Sequence, residues 1–74
     1  MKPEHMVHMA NQIAGFFGSY PREQAIDSIA DHLKKFWEPR MRAALIANAK
    51  SGGAGLQDLV AAAIPKIEPP IVGR

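Results

Sequence analysis

An all-α fold is what this sequence predicts: three principal helices, a short fourth and an extended proline-rich tail. Apolar residues recur at steps of three and four in four separate stretches, and each break between them holds proline or glycine. No long period-two alternation marks a strand. These observations place helices at about 4–18, 21–37, 39–51 and 56–64, in one domain of residues 1–64. Residues 65–74 form the tail.

The first helix follows from Met6, Met9, Ile13, Phe16, Phe17 and Tyr20, which trace one stripe, with Pro3 suited to the first turn. Asn11, Gln12 and Gly18 lie largely away from that stripe. The aromatic end, Phe16, Phe17 and Tyr20, is expected to carry most of the burial. Gly15 costs roughly 1 kcal/mol relative to Ala, a cost often met where another backbone comes close.

Tyr20-Pro21-Arg22-Glu23 reads as a turn and a helix start, with Pro21 at the first position and Glu23 near the positive dipole end. Ala25, Ile26, Ile29, Ala30, Leu33 and then Phe36 or Trp37 repeat at helical spacing. Asp27, Ser28, Asp31, Lys34 and Lys35 occupy the opposite face. Asp31 precedes Lys35 by one turn, the favourable order for an ion pair.

Pro39 is expected to end this helix, because it disfavours helical dihedrals at Glu38, and to open the next. The result is a corner with Phe36 and Trp37 at its apex and Arg40 and Arg42 just beyond. Met41, Ala44, Leu45 and Ala49 give the third helix a narrower stripe. Ser51-Gly52-Gly53-Ala54-Gly55 terminates it through glycine's access to left-handed dihedrals. Leu56, Leu59, Val60, Ala63 and Ile64 make the fourth helix, with Pro65 as its stop. The tail holds three prolines yet also Ile67, Ile71 and Val72, apolar enough to dock on something.

Composition narrows the function classes. A 74-residue domain buries only about 60% of its unfolded surface, so its reserve of stability is small. With no Cys, disulfides and thiolate-held zinc or iron–sulfur centres are excluded. The missing support must come from close helix packing, self-association or a larger partner. Nine basic residues stand against seven acidic ones, net +2 and largely interspersed, which is weak evidence for nucleic acid. No apolar run approaches the ~20 residues of a membrane span, and no secretory h-region follows Lys2, so the expected location is cytoplasmic.

No catalytic or cofactor-binding constellation stands out. His5 and His8 are one turn apart, but two imidazoles are not a complete ligand set. Asp31 and His32 are adjacent on a helix, about 100° apart, and do not orient each other. Gly52-Gly53-Ala54-Gly55 precedes a helix but lacks the Lys-Ser/Thr of a phosphate loop and has no strand before it. His32, on the edge of the apolar face, reads as a packed or partner-contacting side chain. Trp37 with Arg40 and Arg42 admits two readings: an interface hot spot, whose residue types these are, or a core Trp beside two solvated arginines. A Trp at such a corner is half buried and half offered. The candidate partner-binding residues are thus His32, Phe36, Trp37, Arg40, Arg42, Ile67, Ile71 and Val72.

Met9-Ala10-Asn11-Gln12-Ile13-Ala14, the Phe16-Phe17 pair, Ser19-Tyr20-Pro21 and the stretch from Ile29 to Arg42 resemble the delta subunit of NAD-dependent formate dehydrogenases. Gly52-Gly53-Ala54-Gly55-Leu56 and the fourth helix extend the resemblance, which covers roughly Met9 to Ile64. Phe36-Trp37-Glu38-Pro39-Arg40-Met41-Arg42 is its most specific string. The resemblance implies a small, cofactor-free accessory subunit of a cytoplasmic complex. The larger subunits of such enzymes carry a molybdenum or tungsten pterin centre, iron–sulfur clusters and flavin. It implies support of assembly, stability or cofactor insertion, with those larger subunits as partners and no catalytic residues to carry over. The alternative is a free-standing helical regulator, homodimeric or weakly binding nucleic acid through Lys34, Lys35, Arg40 and Arg42.

Overall fold

A computed structural model describes residues 2–68, and within them the expected all-α architecture is present. Helix α1 spans Pro3–Phe17, α2 Arg22–Phe36, α3 Pro39–Lys50 and α4 Asp58–Ile67. Ile71 and Val72 lie outside the described residues.

Helix α2 is the centre of the packing. It buries Ala25, Ile26, Ile29, Ala30 and Leu33, a stripe of aliphatic and small residues, and its most extensive contact is with α4. Helix α4 meets it with Val60, Ala63, Ile64 and Ile67. Leu45 of α3 completes the innermost layer, in which Ile29, Leu33, Leu45 and Val60 are fully buried. Truncating Ile29, Leu33 or Leu45 to Ala is expected to cost about 2–5 kcal/mol.

The packing of α1 differs from its hydrophobic pattern. Its buried residues are Met6, Ala10 and Ala14, at steps of four, while Phe16 and Tyr20 are exposed and Phe17 is only partly covered. The expectation that the aromatic end carries the burial is therefore corrected. Small alanines let α1 lie close to the core, and this choice of face rotates Phe16 outward. Gly15 also departs from expectation: a Cβ built there meets nothing within 4 Å, so no backbone approaches it.

Both corners form as local chemistry requires. Glu38 is extended (φ −64°, ψ 151°) and Pro39 opens α3 at a position where its missing N–H costs nothing. Pro21 stands one residue earlier than expected, as the residue preceding α2, with its carbonyl accepting from the Ala25 N–H at 2.8 Å. At the end of α3 the Gly53 N–H reaches back to the Asn48 carbonyl at 2.9 Å and the Gly52 N–H to Ala49 at 3.3 Å. This closing pattern needs the left-handed dihedrals of Gly52 (φ 119°) and Gly53 (φ 62°).

Pro65 does not stop α4. The helix continues to Ile67, whose side chain is 6% exposed and belongs to the core, so the tail does not begin at residue 65. Pro65 cannot donate to the Ala61 carbonyl, but Ala61 and Pro65 both lie on the exposed face. One further turn costs a single hydrogen bond there, whereas burying Ile67 gains about 1.5–3 kcal/mol. Burial wins.

Candidate partner-binding surfaces

The corner between α2 and α3 is a structural joint. Trp37 ends α2 in an extended conformation, donates its N–H to the Leu33 carbonyl at 3.1 Å, and packs its side chain into the core at 8% exposure. It is not half offered. The alternation that leaves Trp37 inside turns Phe36 outside. Arg42, one turn into α3, reaches back across the corner. Its Nη1 donates to the Trp37 carbonyl at 2.7 Å and to the Lys34 carbonyl at 3.0 Å. A guanidinium at these last carbonyls satisfies acceptors that the helix cannot and opposes the negative end of its dipole. Arg42 is thus engaged inside the chain. Arg40 is exposed and makes no hydrogen bond or ion pair among the described residues.

A second surface brings together residues that the sequence separates. Phe16 and Phe17 of α1 stand edge to face with centroids 5.0 Å apart, and Phe17 continues to Tyr20 at 5.5 Å. Phe17 also meets His32 of α2 at 6.5 Å, and His32 lies against Phe36 at 4.7 Å. The chain of rings therefore bridges two helices. Phe16 is 75% exposed, Phe36 72% and Tyr20 41%; these are the exposed large apolar side chains of the described residues, and all three fall in this one cluster. Phe36 continues the core stripe of α2 past the point where another helix covers it. Asp31 and Lys35 on the same helix form an ion pair at 3.2 Å.

Of the eight candidate residues, the fold brings His32 and Phe36 together. It places Trp37 and Ile67 in the core, engages Arg42 at the corner and leaves Arg40 free at the surface. Phe16, Phe17 and Tyr20 are members that sequence reasoning assigned to internal burial. One signal was available: consecutive helical residues point about 100° apart, so a single narrow face cannot bury both Phe16 and Phe17.

Elsewhere the surface offers a groove of about 680 Å³ between the start of α1 and α3, lined by Met6, Met41, Ala44 and Ala47 with Glu38 and Arg40. Among the described residues no group of three His, Cys, Asp or Glu is placed to hold a metal ion. Among the same residues, no helix is long and apolar enough to cross a membrane.

A family model for the NADH-dependent formate dehydrogenase delta subunit, FdsD, matches residues 5–64, most of the chain. The chain belongs to this delta-subunit family. No curated protein and no solved structure matches it. By the family's description, the delta subunit is one component of a formate dehydrogenase.

Proposed function

We propose that the chain is a non-catalytic accessory subunit of an NADH-dependent formate dehydrogenase, acting through protein contacts with the larger subunits. Its role is to support their assembly, stability or cofactor insertion. One observation carries the reading beyond family membership: every exposed large apolar side chain of the described residues gathers in one cluster across α1 and α2. Exposed aromatic side chains gathered in one place, rather than scattered singly, support an interaction surface. Formate oxidation requires an acceptor held beside the substrate, usually by a cofactor whose chemistry the protein only positions. The chain has no Cys for clusters, and no strand-to-helix glycine pattern for a dinucleotide.

The purified full chain, given formate and NAD, is expected to form no NADH and to carry no stoichiometric molybdenum, iron or zinc by elemental analysis. Turnover by the isolated chain would refute the accessory reading.

A further inference from the structure

We infer that the Phe16–Phe36 aromatic cluster is the surface by which a larger dehydrogenase subunit holds this chain, and that it is not a self-association face. The inference rests on the accessory reading and names the contact. At roughly 200 Å² for a whole aromatic side chain, Phe16, Phe36 and Tyr20 together leave about 400 Å² in the open. A second copy seated face to face would bury about 800 Å² in total, against the ~1,200 Å² at which stable interfaces begin. A larger protein offers more surface than a second 74-residue copy with which to continue over the rim, and so reaches the needed area with one set of anchors.

The cluster also states what that partner presents. Phe16 and Phe36 stand on different helices at the two ends of the ring chain, with Phe17 and His32 between them, so they fit two apolar recesses separated by a ridge. The ridge meets the imidazole, which makes no hydrogen bond among the described residues, as does the Tyr20 hydroxyl. Each such group, once covered, needs a partner, because burying an unpaired polar atom costs about 1–3 kcal/mol, roughly 5- to 150-fold in affinity. The ridge therefore carries a hydrogen-bonding group, such as a backbone carbonyl, opposite His32. Lys35, the residue before Phe36, is already paired with Asp31. The exposed rings themselves fit an uncharged apolar partner surface.

The test uses the tagged full chain, co-expressed with the large subunits of its own dehydrogenase, with captured subunits identified by mass spectrometry. The variant is Phe16→Ser with Phe36→Ser; both side chains are exposed, so the fold is expected to keep its helicity and melting temperature. Light scattering of the wild-type chain alone should give a monomer. The wild type should capture a large subunit, and the double variant should bind it at least about 30-fold more weakly, the scale of a lost hot spot. Equal capture by a folded double variant overturns the assignment of this surface while leaving the accessory reading intact. A stable wild-type dimer that the double variant dissolves overturns the choice of occupant. A wild-type chain that captures no dehydrogenase subunit overturns the accessory reading and this inference with it.

Discussion

Asn11 of α1 donates its Nδ2–H to the Gly55 carbonyl at 2.8 Å, 44 residues away in the chain. The same carboxamide accepts from the Gln57 N–H through Oδ1 at 2.9 Å. One side chain thus clamps the α3–α4 connection from both sides and fixes where α4 begins. Gly55 needs its left-handed backbone (φ 85°) to aim its carbonyl at α1, and Val7 lies 3.5 Å from where a Cβ would stand.

Replacing Asn11 by Ala should remove both bonds and loosen the start of α4. At about 1 kcal/mol for each net hydrogen bond, a loss of about 1–2 kcal/mol is expected. Urea unfolding followed by circular dichroism measures it. A change below about 0.3 kcal/mol would show that the clamp is incidental.

The two corner arginines should behave differently. Arg42→Ala leaves the Trp37 and Lys34 carbonyls without their guanidinium and should cost about 1.5–3 kcal/mol, the range of hydrogen bonds to a charged group. Arg40→Ala should stay within about 0.5 kcal/mol, as exposed substitutions usually do. Thermal melts of the two variants side by side distinguish them. Equal destabilisation would contradict the joint.

These residues also show what could be read from the chain alone. Helix α2 was legible because its burial uses Ala25, Ile29 and Leu33 at the spacing that hydropathy detects. Beyond Met6 the inner face of α1 was not, because it is made of Ala10 and Ala14, which weigh little beside two phenylalanines. Pro65 disguised the last turn of α4, since whether a helix continues past proline depends on what the next turn buries. The role of Arg42 depends on the corner angle, which no local pattern records. His32 and Phe36 were recognisable as edge residues of an apolar stripe, but their junction with Phe17 required the crossing of α1 over α2.

Truncation tests the corrected end of the fold. Removal of residues 69–74 serves as the reference for a longer truncation, of residues 65–74, which also takes Ile67 out of the core. Ile67→Ala alone should cost about 2–5 kcal/mol, a large share of the stability of so small a domain. The longer truncation should therefore lose most of its helical circular dichroism. Full helicity in that variant would return Ile67 to the tail.

Gly15 offers a gain. Its surroundings are open and it lies within α1, so Gly15→Ala should stabilise the isolated chain by up to about 1 kcal/mol. A higher urea midpoint with an unchanged slope is the expected result. Destabilisation would mean that α1 is held closer to its neighbours than the open space around Gly15 indicates.

In the proposed role this delta-family chain serves a dehydrogenase without performing its chemistry. The most direct measurement is formate-dependent NAD reduction by the large subunits, purified from cells with and without the chain and normalised to large-subunit mass. Enzyme made without the chain should show lower specific activity, and the loss should track lower molybdenum content or a smaller fraction of intact complex. Fully active, metal-replete and intact enzyme made in its absence would contradict the account.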